Sequence, residues 1–305
     1  MDKNLLYGAL PIFNSIFSMI SKETLKTVDP VSYTASVLFI SAIMSLLYNH
    51  YMNIKTIVNK DSIIAGLAFG ISTLLFEEGV HRASNPGIVN AVYRSQAALT
   101  AIVSVFVLGS SLSLQVMIGI LITIIGASTI ALSKSKKEGY EPYHIDIDDP
   151  KHDKTDKKEG SWIPYALAAG LIATVKDITG VLSVRGKRMS PSSFVFSQAL
   201  FGAIIVGLYQ FYKFGTIIPH PNRETNKGKM WAGIGAASVD NFIWCAVLIY
   251  LMNKASNPAF PKAIQMSGIV LTSIASSFVF NNASLNKEQW IGVFAVVTGI
   301  ITMYA

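Results

Sequence analysis

The chain has 305 residues, of which 51% are apolar and only 14% charged, the composition of a multi-spanning membrane protein rather than a soluble enzyme. Its net charge of +7 is spread over short connections between apolar runs, where Lys and Arg anchor helices at the interface, so no basic face for nucleic acid can be assembled. The single cysteine, Cys245, sits inside an apolar run, which excludes an intrachain disulfide and a cysteine metal cluster; the sequence calls for no metal or other cofactor.

A helix needs about 20 apolar residues to cross the hydrocarbon of a bilayer, and ten runs approach that length. Before the middle of the chain they are Leu5 to Ile20, Val31 to Tyr48, Ile63 to Val80, Ile88 to Leu108 and Leu114 to Leu132. After it they are Trp162 to Val184, Phe194 to Phe211, Met230 to Met252, Ala259 to Phe280 and Trp290 to Tyr304. The first run has the outline of a signal peptide, but Ser21 to Asp29 offers no small-residue cleavage site, so a membrane helix is expected there. Ser133 to Gly160 is rich in Lys, Asp, Glu and His, the pattern of a solvated linker. The expected organisation is a first five-helix block at 1–133, a charged linker at 134–160 and a second block at 161–305.

The two blocks share sequence. Residues 83 to 108 and 255 to 280 agree at 12 of 26 positions without a gap, including Ala83-Ser84-Asn85-Pro86 against Ala255-Ser256-Asn257-Pro258. Pro30 to Tyr48 matches Pro191 to Tyr209 at 7 of 19 positions, Ile118-Gly119 meets Ile291-Gly292, and Gly126 meets Gly299. Each Asn-Pro pair is placed to open a helix, where a fixed φ and a missing N–H are tolerated. Five helices per block is an odd number, so the second copy enters the membrane from the opposite side. The expected fold is therefore all-α, ten transmembrane helices as two inverted repeats related by an axis in the membrane plane, a plan common among secondary transporters.

With that plan, and with the hairpin from Phe76 to Leu132 in which a polar turn, a small-residue helix, a turn at Gly109 and a Gly-bearing helix follow in order, the chain resembles the drug/metabolite transporter superfamily. The likeness is to its ten-helix EamA-type members, relatives of the nucleotide-sugar and sugar-phosphate transporters, and covers nearly the whole chain. The acidic residue usual after the fourth helix is absent, since Leu108 is followed by Gly109, Ser110 and Ser111. The resemblance implies both termini in the cytoplasm. Counting Lys and Arg outside the spans, and leaving out the linker, gives 7 against 8 and does not decide the orientation.

A charge in hydrocarbon costs a few kcal/mol, so each one inside a span is a functional candidate until a partner or an interface accounts for it. Arg94 lies eight residues past Pro86 on the helical face of Asn90; Lys262 takes the repeat-related place of Asn90, with Gln265 three residues on. Arg94 and Lys262 are expected to meet near the pseudo-axis and hold an anionic group, carboxylate or phosphate, with Asn90, Gln265, Tyr93 and Trp244 completing the site. The alternative is that both snorkel to an interface. Tyr93, Trp244 and Tyr250 read as amphipathic walls. Lys176 and Asp177 fall in the middle of one span and Asp240 in that of another; they, with Glu77 and Glu78, are candidates for ion pairing or proton coupling. A Lys176–Asp240 pair across helices is one expectation, and a proton-coupling Asp240 or Glu77 the other. Glu78 and Arg82, four apart, can pair. Gly66 and Gly70 read as a close helix-packing pair.

These features are expected of a carrier of a small polar organic metabolite, such as an amino acid or organic phosphate, working by alternating access with a proton or counter-substrate. A channel, or a membrane protein with a structural role, is the competing reading. An enzyme is not expected: the five histidines are scattered over loops and edges, and no GxxxxGK[ST] motif occurs.

Overall fold

The structure is a computed structural model that describes residues 3–109, 113–133, 161–184, 189–219, 221, 226–254, 261, 264–265, 268–280 and 285–304. Among these the chain is helical, and the only extended pairing is a single bridge between Val28 and Pro221. The helices, numbered here in chain order, are α1 (Lys3–Thr24), α2 (Pro30–Tyr51), α3 (Lys60–Arg82), α4 (Pro86–Arg94), α5 (Gln96–Leu108), α6 (Leu114–Leu132), α7 (Ile163–Val184), α8 (Pro191–Phe214), α9 (Lys227–Lys254), α10 (Gly268–Val279) and α11 (Lys287–Tyr304). Among the described residues, six spans are long and apolar enough to cross a membrane: α2, α3, α4 with α5, α7, α8 and α9. This is an all-α, multi-pass membrane protein. The expected linker at 134–160 lies outside the described residues, as do 255–260 in the second Asn-Pro turn.

The helices overrun the apolar runs because polar residues cap them. Asp29 Oδ1 accepts from the Val31 N–H at 2.8 Å with Pro30 in the first turn, and Asn59 and Ser62 form a capping box at the start of α3. Asn85 Oδ1 accepts from the Gly87 N–H at 2.7 Å just before α4, and Ser190 caps α8 ahead of Pro191. These caps satisfy N–H groups that the helix itself leaves open. At the other end, α5 and α8 stop at Gly109 and Gly215, whose φ of 67° and 68° is the left-handed cap that glycine takes without strain.

One run departs from expectation. Ile88 to Leu108 was expected to be one helix, but it pinches at Ser95 between α4 and α5. The Ser95 hydroxyl donates to the Val92 carbonyl at 2.7 Å, the Ser95 N–H is shared between Ala91 and Val92, and the Ala98 N–H reaches back three residues to Ser95. A hydroxyl that competes for helix carbonyls tightens the turn toward 3₁₀ geometry.

Helices before and after the linker interleave rather than forming separate bundles. The α6 helix packs along α11, α2 lies against α8 and α9, and α3 lies against α7 and α8. The α1 helix packs on α9 and α10, while α4 meets α7 and α10. Small residues permit the closest crossings. A Cβ on Gly70 would stand 2.6 Å from the Gly202 carbonyl, so α3 and α8 touch backbone to backbone. Large apolar side chains such as Phe106, Leu121, Ile125, Leu208 and Phe278 point outward and are more than half exposed, while Asn14, Ser41, Asn90, Arg94 and Gln265 are buried. Apolar outside and polar inside is the distribution that lipid, not water, selects.

Candidate functional site

The interior polar groups converge where α1, α4, α7 and α9 meet. Asn90 and Arg94 lie one turn apart on α4, and Arg94 is eight residues, about 12 Å, along the helix from its start. Arg94 is only 4% exposed, so its guanidinium is enclosed by the helix bundle. Its Nη2 donates to Asn14 Oδ1 at 2.7 Å and its Nε to Asn90 Oδ1 at 3.2 Å. Asn90 Nδ2 in turn donates to Ser18 Oγ at 3.0 Å, and Gln265 Nε2 to Asn14 Oδ1 at 3.2 Å. The guanidinium thus donates to amides on two helices, α1 and α4, and Gln265 joins the network through Asn14. It also lies 4.7 Å from the centre of the Tyr93 ring and 5.5 Å from that of Trp244, inside cation–π range.

Two cavities flank Trp244. One is a narrow cleft lined by Asn14, Arg94 and Asn241 among the rings of Phe17, Phe69, Phe76, Tyr93 and Trp244. The other, equally narrow, is lined by Lys176, Asp177, Gln198, Cys245, Trp244 and apolar residues including Phe194. Trp244 belongs to both walls. Lys176 is 5% exposed and its Nζ lies 5.2 Å from the Phe69 ring and 5.9 Å from Trp244.

The ion pairing differs from one expectation. Lys176 pairs with its neighbour Asp177 at 3.2 Å, not with Asp240. Adjacent helix positions point about 100° apart, but the long lysine stem bends around the helix, and burial of both groups favours the nearest counter-charge. Asp240 is buried, and its Oδ2 has no hydrogen-bond partner among the described residues.

Glu77 and Glu78 part company. Glu78 pairs with Arg82 at 3.3 Å, and Arg82 stacks 4.4 Å from the Tyr165 ring at the helix end. Glu77 is fully buried; its Oε1 accepts from Ser21 Oγ at 3.2 Å, and Ser21 shares a 2.8 Å bond with the Tyr33 hydroxyl. Glu77 Oε2 has no hydrogen-bond partner among the described residues.

Among the residues expected at the site, Asn90, Tyr93, Arg94, Trp244 and Gln265 gather as described. Lys262 lies outside the described residues. Tyr250 is 37% exposed and lines neither cavity, because it falls on the outer face of α9, so it is no wall of the site. Sequence reasoning missed Asn14, Gln198 and Lys22. An asparagine in the middle of an apolar run was the available signal for Asn14, since a buried amide in lipid requires a partner. Lys22 was placed in a loop after Ile20, whereas α1 continues to Thr24. Its buried ammonium donates to the carbonyls of Val80 (2.9 Å), His81 (3.4 Å) and Ala83 (2.7 Å), closing the C-terminus of α3.

No family model matches the sequence, and no curated protein matches it significantly. Among solved structures, a protein crystal structure superposes on 98% of this chain and 94% of its own with a TM-score of 0.59 at 15% identity. At that identity the likeness is one of fold alone.

Proposed function

We propose that the protein is a secondary transporter of the drug/metabolite type, which moves a small organic solute with an anionic group by alternating access between two inverted five-helix halves. The observation that carries the reading is Arg94, a guanidinium buried inside the helix bundle against aromatic rings and amides. A site of this kind offers a planar fork to a carboxylate or phosphate and an apolar surface to the rest of the solute.

The inverted arrangement draws support from reciprocal contacts between matching positions. A Cβ on Gly126 would lie 2.8 Å from the Gly292 carbonyl, and one on Gly299 would lie 2.7 Å from the Gly119 carbonyl; in the sequence match Gly119 corresponds to Gly292 and Gly126 to Gly299. Exchange of partners between equivalent positions is the mark of a two-fold relation. The pairings of α3 with α8 and of α2 with α9 exchange in the same way, as do those of α3 with α7 and of α1 with α9. Glu77, enclosed with Ser21 and Tyr33, is the carboxylate placed to carry a coupling proton.

Uptake by protein reconstituted into liposomes tests the proposal, with a panel of amino acids, carboxylates, organic phosphates, nucleotide-sugars and amines. Saturable uptake with counterflow of at least one anionic solute is expected. Flux without saturation or counterflow would mean a channel, and a panel with no flux at all would end the transporter reading.

A further inference from the structure

We infer that Lys176 is itself a substrate-binding residue, and that the solute's oxyanion is held beside Trp244 between Arg94 on one side and Lys176 on the other. The inference rests on the transporter reading and sharpens it in two ways, by naming the second cation and by naming the solute as an organic oxyanion with an apolar or unsaturated carbon body.

The geometry turns on a shared wall. Trp244 lines both cavities, and both cations lie over it, Arg94 at 5.5 Å and Lys176 at 5.9 Å from the ring centre. The Lys176 ammonium also lies 5.2 Å from Phe69, a ring that lines the Arg94 cavity. Lys176 thus belongs by its helix to one cavity and by its ring contacts to the border of the other. Among the described residues, the linings of the two cavities together carry two cations, Arg94 and Lys176, and one carboxylate, Asp177. An ammonium has three donors, so its ion pair with Asp177 still leaves it able to bind an oxygen of the solute. Arg supplies a fixed fork and Lys a movable point charge, and the five rings of the Arg94 cavity give the carbon body a place to pack.

The two cations come from opposite sides of the linker, Arg94 from α4 and Lys176 from α7. An oxyanion bound to both becomes a tie between the halves, so substrate binding and closure of the halves are one event. This gives Lys176 a role that the Lys176–Asp177 pair alone does not supply.

The test measures ligand-induced thermal stabilisation of the purified full-length protein with matched probes: benzoate against benzamide, glycerol 3-phosphate against glycerol, and succinate against succinamide. At least one anion should stabilise the wild type while its neutral partner does not. K176Q should weaken that anion's apparent affinity about tenfold, and K176R should restore most of it. Should K176Q misfold through loss of the ion pair with Asp177, K176Q/D177N removes both charges and is the variant measured. A lysine with a merely structural role would lower the melting temperature of the unliganded variant yet leave the preference for anion over neutral partner intact, and that result overturns the inference. So does a wild type that none of the anions stabilises. Loss of anion binding in R94Q with none in K176Q/D177N rejects the role of Lys176 and leaves the transporter reading standing. Anion binding that depends on Lys176, with no solute transported in liposomes, rejects transport and keeps the site.

Discussion

Lys22 offers a test of how the helix ends are held. Its ammonium makes three bonds to carbonyls at the C-terminus of α3, at 2.7, 2.9 and 3.4 Å, and these carbonyls belong to the turn that a helix cannot satisfy internally. Hydrogen bonds to a charged group contribute about 1.5–3 kcal/mol each, and the longest of the three counts for less. Release of the buried ammonium from its desolvation cost offsets roughly half of the sum. Lys22→Met keeps the apolar stem and removes the donors, so the expected loss is about 3 kcal/mol, with a fall of roughly 6 °C in melting temperature for a chain of this size. Fluorescence-detected size exclusion after heating, in a mild detergent, measures it. Lys22→Arg should recover part of the loss. A Lys22→Met protein that melts within about 2 °C of wild type would refute the claim that this ammonium closes the helix.

The remaining predictions concern the interior and the repeat. Arg94→Gln should abolish saturable uptake of an anionic solute while the protein still folds, since Asn14 and Asn90 can bond to the new amide; unchanged uptake would remove Arg94 from the site. Gly126→Ala and Gly299→Ala should destabilise to a similar extent, about 1–3 kcal/mol each, because the added Cβ would meet backbone within 2.6 Å at either site; a large effect at only one would break the proposed equivalence. Glu77→Gln should make uptake indifferent to an imposed pH gradient without abolishing exchange, and retained gradient-driven accumulation would move the coupling proton elsewhere. Trp244→Ala should weaken binding of an aromatic anion more than Trp244→Phe, as measured by the same thermal shifts used for Lys176.

Much of the architecture was legible because lipid imposes simple rules. The long apolar runs at Val31–Tyr48, Ile63–Val80 and Met230–Met252 all lie inside observed helices, and the caps that extend them, Asp29-Pro30 and Asn59 with Ser62, are short-range patterns. Gly66 and Gly70 were readable as packing residues because only a missing side chain admits Gly202 so closely. What the sequence did not disclose depends on which helix faces which. The partner of Lys176 could be Asp177 or Asp240 on spacing alone, and only the rotation of α7 against α9 decides. Asn14 joins Arg94 across 80 positions, a contact with no local signature. Ser95 looked like an ordinary small residue in a helix, and the pinch it causes comes from one rotamer of its hydroxyl.

The glycine crossing of α6 and α11 bears on how such a molecule could move. Interdigitated side chains lock two helices in register, because sliding or rolling one over the other forces every knob out of its hole. Where Gly126 faces Gly292 and Gly299 faces Gly119, backbone meets backbone, and the side chains of Ile130 and Thr123 fill the room that Gly292 and Gly299 leave. Locked in register in this way, the pair can act as a fulcrum, bearing load at a fixed distance while its arms swing. Displacement about a fulcrum grows with distance from it. The contact between α6 and α11 should then keep its spacing in every state, while distances between helices remote from it, across Trp244 from α4 to α7, change most.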